Sequence, residues 1–332
     1  MTVKPFIRPL PGLLAILAAY ALLRVPTMAQ TSHPLIHDRD LTVPLPYFGI
    51  LSFKWSGSLL LDRTDDHTSA PLLETVDREG RVERISFDIP GAAMVSVRSY
   101  AAGVDGALVL CGTAGGTGPR GTAYVAWISP DRKQRALTRV WPYVPEKVVL
   151  ASDGTIWTAG YLHEEPGLGA AELNVIRRFD RGGHILASFN ARPRTFPKES
   201  SDLMPSFLLA SRDHVGWFTE GNQYIEYSLA GGEVARYDGP AGVDPDRDIC
   251  GVGLSQRNDL SVCVRRGGYW KVLSLNRTSR KWDVALPEEK GGAFLMGYDG
   301  ETLVVSPSPS DAGGGWVVRR YSRPGERGDP AK

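Results

Sequence analysis

The stretch Lys147-Val148-Val149-Leu150-Ala151, Ser152-Asp153-Gly154, Thr155-Ile156-Trp157-Thr158-Ala159 decides the fold class. Two apolar runs of strand length flank a tight polar turn. Asp-Gly between such runs is a strong hairpin signal, because glycine accepts φ > 0 without steric cost. After a gap the grammar returns with Asn174-Val175-Ile176-Arg177-Arg178-Phe179-Asp180, the turn Arg181-Gly182-Gly183, and His184-Ile185-Leu186-Ala187-Ser188-Phe189. Together the two hairpins make one antiparallel unit of four strands.

Outward from this unit, its first turn recurs at Ser56-Gly57, Asp105-Gly106, Asp213-His214, Asn258-Asp259 and Asp299-Gly300. Counted on the second residue of each turn, the six copies are spaced by 49, 48, 60, 45 and 41 residues, bracketing the roughly 40–50 residues of a four-stranded propeller blade. The long interval holds an insertion, Asn190 to Pro205, whose prolines mark it as loop. The chain is therefore predicted to be all-β, a six-bladed β-propeller of four-stranded antiparallel blades. The last copy stops after Trp316-Val317-Val318-Arg319-Arg320-Tyr321 without a fourth strand. An open ring would expose strand edges. Leu41-Thr42-Val43-Pro44-Leu45 is the obvious donor, so the ring is predicted to be closed by an N-terminal strand completing the last blade. Pro44 suits an outermost strand, which needs no ladder bonds on its far side.

Composition agrees with this reading. Gly 37 and Pro 24 suit many short strands and turns, and amphipathic helix patterns are nearly absent beyond residue 30. Residues 1–29 read as a signal peptide: Lys4 and Arg8 precede the uncharged apolar run Leu13 to Leu23, and Thr27-Met28-Ala29 offers small residues for cleavage. That run is about half of the roughly 20 residues a membrane span needs. The expectation is an exported chain, periplasmic or extracellular, with one propeller domain over 30–322, a flexible tail over 323–332 and no membrane span in the mature protein. Losing Lys4, Arg8 and Arg24 takes the net charge from +1 to −2, a poor balance for nucleic acid, which is not expected as a partner. Three cysteines are too few for a disulfide scaffold. Cys250 and Cys263 flank a predicted hairpin and can face each other as a bridge or remain buried thiols, and Cys111 reads as a buried strand thiol.

The blade pattern resembles the six-bladed propellers of the NHL and SMP-30-like (TolB-like) type. Those blades share an apolar strand, Asp-Gly, an aromatic-bearing strand and an apolar-x-x-Phe-Asp-x-x-Gly unit. Ser152-Asp153-Gly154-Thr155-Ile156-Trp157 with Arg178-Phe179-Asp180-Arg181-Gly182-Gly183 looks most like it. Trp217-Phe218-Thr219-Glu220 is similar to a motif of the streptogramin lyase propellers. The resemblance implies the fold and almost nothing about chemistry.

Candidate site residues sit in the long connections, Asp62 to Pro71, Gly112 to Gly121, Gly160 to Leu173, Asn190 to Pro205 and Ser306 to Gly315, which fall on one side of the ring. Asp62, Asp65, Asp66 and His67 offer an oxygen-rich set for a divalent metal such as Ca²⁺ or Mg²⁺, or a solvated loop, since the glycine and distal Glu of an EF-hand are missing. His163, Glu164 and Glu165 offer a metal ligand or a general base beside carboxylates, or else an exposed charged turn. Glu220 and Asn222 are expected to end an inner strand at the channel mouth. Arg192, Arg194, Lys198, Arg265 and Arg266 can gather over blades four and five and favour an anion, or stand as scattered solvated charges. No cofactor is evident, and Gly116-Thr117-Gly118-Pro119-Arg120-Gly121 is not followed by the helix a dinucleotide fingerprint requires. Two readings follow. One is a binding scaffold whose long-loop face takes a small molecule, carbohydrate, peptide or protein. The alternative is a metal-assisted hydrolase or lyase at the channel mouth, with Asp62, His163 and Glu220 as first suspects.

Overall fold

The computed structural model describes residues 35–43, 54–56, 59–65, 72–77, 79, 81–115, 122–163, 174–191, 205–219, 221–307 and 316–324. Residues 1–29, residues 192–204 of the Asn190–Pro205 insertion and the tail beyond 324 lie outside them.

The described residues form six four-stranded antiparallel sheets. Ahead of them in the chain runs β1 (Ile36–Val43). The first sheet holds β2 (Lys54–Ser56), β3 (Leu59–Asp65), β4 (Leu72–Val76) and β5 (Val82–Ser86). The second holds β6 (Met94–Ala102), β7 (Leu108–Gly115), β8 (Thr122–Ile128) and β9 (Arg135–Arg139). The third is β10 (Tyr143–Leu150), β11 (Ile156–Leu162), β12 (Asn174–Phe179) and β13 (Ile185–Ala191). The fourth is β14 (Pro205–Ala210), β15 (His214–Thr219), β16 (Gln223–Ser228) and β17 (Glu233–Asp238). A helical turn, α1 (Pro245–Asp248), leads into the fifth sheet of β18 (Ile249–Leu254), β19 (Leu260–Arg266), β20 (Tyr269–Asn276) and β21 (Lys281–Lys290). In the sixth, β22 (Ala293–Asp299), β23 (Thr302–Pro307) and β24 (Trp316–Ser322) are joined by β1, in the order β1-β24-β23-β22. All six predicted first turns fall between the first two strands of a sheet.

The N-terminal strand begins earlier than its sequence pattern suggests. Its register runs from Ile36 opposite Ser322 to Val43 opposite Trp316, and Pro44 lies outside the described residues. His37 and Asp40 are both exposed and bonded to each other at 2.8 Å. An outermost strand with one face in solvent carries polar residues, so the apolar run marks only its second half.

The first strands of successive sheets touch one another from β6 through β22, and β22 meets β2. They are the inner ring, and the blades radiate from them. Between blades, apolar side chains interlock. Trp157, Trp217 and Phe179 are fully buried in one cluster that spans blades two to four. Burying each such aromatic stabilises the fold by several kcal/mol, on the order of the 3–5 lost on truncation to alanine. Bonds between neighbouring blades recur at about one repeat. Ser56 donates to the Ala102 carbonyl 46 residues on, the Val148 N–H donates to Ser99 Oγ across 49, and Ser152 donates to the Arg212 carbonyl across 60. The last separation equals the one long interval between repeats, so blade four keeps its place against blade three despite that interval.

Each first strand from blade two to blade six carries one irregularity, at Arg98, Glu146, Ser206, Cys250 and Met296, which the ladder skips. A bulge bends a strand and sharpens its twist, and it re-aims the skipped residue. In blade five it brings Cys250 into a disulfide with Cys263, with Cα atoms 5.2 Å apart. Cys111 is a buried thiol on β7, pushed up to about 12 by desolvation.

Beside two of these bulges, glycine is required for close approach. A Cβ on Gly112 would collide with the Ser96 carbonyl oxygen, and one on Gly160 with that of Val144, the equivalent place one blade on. Replacing Gly160 with alanine must push an inner strand away and is expected to lower stability by about 2 kcal/mol. The check is the urea midpoint at unchanged slope, and a loss below about 0.5 kcal/mol would show that β10 can retreat freely.

Candidate functional site

Antiparallel order fixes which connections share a face. The first-to-second and third-to-fourth turns lie at one end of the blades, and the second-to-third turns and the blade-to-blade crossings at the other. The first end is short and heavily cross-linked. Arg132 in the turn after β8 donates to the Gly106 carbonyl at 2.7 Å and pairs with Glu83 of blade one at 2.8 Å. Arg277 of blade five pairs with Glu226 of blade four at 2.5 Å and donates twice to the Asn258 carbonyl. Arg323 reaches Asp259 at 2.7 Å. These arginines staple one blade to the next, and the turns are closed by residues that tolerate positive φ, such as Gly106, Gly154 and Asn258.

The opposite end carries the long connections that the sequence singled out. In blades four and five, however, the second-to-third turn is tight, at 220–222 and at Gly267-Gly268. Glu220 is outside the described residues, and Asn222 closes the turn at φ 57°. Its amide donates to the Pro240 carbonyl at 3.0 Å. The strand these two residues follow, β15, is second from the axis rather than an inner strand. Asn222 thus holds the crossing to blade five.

Other candidates divide in the same way. Arg266 ends β19 and pairs with Asp248 at 2.6 Å. Arg247 bonds the same carboxylate at 3.0 Å, and the two arginines with the Asp244 backbone hold Asp248 far below the usual carboxylate range. Arg265 lies over the Phe294 ring, 5.9 Å from its centroid. Arg266 therefore serves the crossing between blades four and five, and Arg265 reaches β22 of blade six. Arg192, Arg194, Lys198, Asp66, His67 and Glu164 lie outside the described residues. Asp62 and Asp65 lie on β3, where only the backbone is described. Among the described residues no group of three or more His, Cys, Asp or Glu side chains can hold a metal ion.

His163 is exposed at the end of β11. Its ring is tilted against that of Trp141 with centroids 4.9 Å apart, and its backbone N–H donates to the Pro142 carbonyl at 2.9 Å. Trp141 stands in the crossing from blade two to blade three, so this pair joins two blades on the long-connection end. The sequence reading placed His163 there but missed Trp141, whose signal was an aromatic in a short crossing beside proline.

No family model matches the chain, and no curated protein sequence resembles it. Solved structures do. The major allergen Mala s 1 of Malassezia sympodialis superimposes with a TM-score of 0.51 at 10% identity, covering 86% of this chain and 96% of that one. Virginiamycin B lyase from Staphylococcus aureus gives 0.48 at 13% identity over 86% and 98%. A chain of a mitotic checkpoint complex gives 0.46 at 10% identity over 97% and 98%. The likeness is one of fold. This propeller has one stapled face and one face of long connections.

Proposed function

We propose that the chain is an exported binding scaffold that presents its long-connection face to a carbohydrate, peptide or protein. The observation that carries this reading is the asymmetry of the two ends. One is consumed by arginine contacts between blades. The other bears the long connections and the Trp141–His163 pair across two blades, and long irregular connections tend to persist where they carry function. A rigid ring beneath them keeps the loops in register, which lowers the ordering cost of recognition.

The test is a melting-temperature screen of the purified protein against oligosaccharides and synthetic peptides, with the variant Trp141→Ala/His163→Ala beside the wild type. A compound that raises the wild-type midpoint and acts at least tenfold more weakly on the variant supports the proposal. One that binds both alike would move the site elsewhere. Divalent metal content, with melting before and after EDTA, runs on the same material. A stoichiometric ion whose removal lowers the midpoint would replace this reading by metal-assisted hydrolysis or elimination. Sequencing of the processed N-terminus checks export, with Gln30 expected first.

A further inference from the structure

We propose that the outermost strand of blade three, β13, is the docking edge for a second copy of this chain, whose own β13 pairs with it antiparallel about a two-fold axis. The inference is independent of any ligand on the long-connection face.

The outermost strands of the six blades are β5, β9, β13, β17, β21 and β1, each standing at the end of its sheet. Such an edge presents backbone N–H and C=O groups that can pair with another chain, and charged side chains are the usual protection. Five of the six edges carry it: Glu83 on β5, Arg135 on β9, Arg236 on β17, Asp283 on β21 and Asp40 on β1. β13 reads Ile-Leu-Ala-Ser-Phe-Asn-Ala and has no ionisable residue. At its head Ile185 and Leu186 are 53% and 49% exposed. Among the described residues no strand pairs with its far side.

The edge is held in place from behind. The Phe189 ring stands edge-on to Trp157, with centroids 5.4 Å apart, and lies 5.2 Å from the Tyr227 ring of blade four. Blade four approaches so closely that a Cβ on Gly231 would sit 3.6 Å from the Phe189 ring. A bulge twists an edge away from partners, and the one in β13 is confined to its head, where the ladder skips Leu186. From Ala187 opposite Arg178 to Ala191 opposite Asn174 the pairing shows no further irregularity. A strand already fixed in extended form loses little freedom when it pairs, and adding a strand to a sheet edge is a recurrent mode of recognition.

Charge selects the occupant. Any other edge of a second copy would set a group such as Glu83 or Arg135 against an uncharged strand, where it loses water and gains no counter-ion. β13 of a second copy brings no charge. Its antiparallel pairing is isologous, so it closes at two copies and leaves neither β13 edge open for a third. The dimer then presents two long-connection faces, an arrangement suited to a ligand with repeated epitopes.

Sedimentation velocity of the purified protein over about two decades of concentration is expected to show a monomer–dimer equilibrium. The variant Ile185→Lys/Leu186→Lys places charge at two exposed positions, and it should melt as the wild type does and associate roughly tenfold more weakly. A second measurement needs no variant: hydrogen exchange of the wild type read by mass spectrometry. The amides of 185–191 should exchange about fivefold more slowly where dimer dominates than where monomer does. A monomer at every concentration overturns the proposal, as does a dimer that the lysine variant leaves intact or that leaves exchange over 185–191 unchanged. A monomer that binds a synthetic peptide of the β13 sequence also overturns it, because the edge would then serve a strand from another protein.

Discussion

Removing Ile36–Val43 is expected to lower the melting temperature by about 10 °C or more and to make the protein aggregate. β1 supplies seven register pairs to β24. At about 1 kcal/mol net for each hydrogen bond, the loss amounts to several kcal/mol, and each kcal/mol is worth at least about 2 °C in a domain of this size. The truncation also strips a side of β24, and an unpaired edge templates association between molecules. Leu35, packed against a cluster that contains Tyr321, would lose its anchorage as well. Differential scanning calorimetry and light scattering on the deletion variant provide the check. A cooperative transition at the wild-type temperature would mean that the sixth blade stands on three strands.

Arg277→Met is expected to cost about 3–5 kcal/mol, because it orphans a buried carboxylate. The Glu226 side chain is only 4% exposed, and Arg277 is its 2.5 Å partner across two blades. Arg277 also donates to the Asn258 carbonyl at 2.9 Å and covers the Tyr237 ring. The double variant Glu226→Gln/Arg277→Met should recover more than half of the loss in a denaturant titration, since the uncompensated charge is gone. Should the double variant be no more stable than the single, the arginine acts by packing rather than by charge.

The fold was legible in the sequence because its punctuation is chemical. Gly106, Gly154 and Gly300 all adopt positive φ, at 82°, 81° and 62°, and few other residues can stand there. Asn258, at φ 70°, does the same work in blade five, which is why an Asn-Asp turn could be aligned with Asp-Gly ones. The strand of Ile36–Val43 was half legible. Leu41 and Val43 show the alternation in the sequence, while His37, Asp38 and Asp40 face the solvent of an edge and carry no apolar signal. The candidate site was harder to see. His163 could be placed on the correct end from strand order alone, but the roles of Asn222 and Arg266 depend on partners at Pro240 and Asp248 that local pattern does not specify. The bulges at Arg98 and Glu146 leave no compositional mark.

The order of the strands has a kinetic meaning. Bonds between most neighbouring blades span about one repeat, so each blade can dock on its predecessor as the chain is synthesised. The pairing of β1 with β24 joins the two ends of the domain and cannot form until the last strand has been made. Until then the growing molecule is an arc with two unsatisfied ends, dependent on speed or on a chaperone to avoid wrong partners. Ile36 lies directly opposite Ser322, so evolution or an engineer could join the strands by a short turn and turn the latest contact of the molecule into one of its most local.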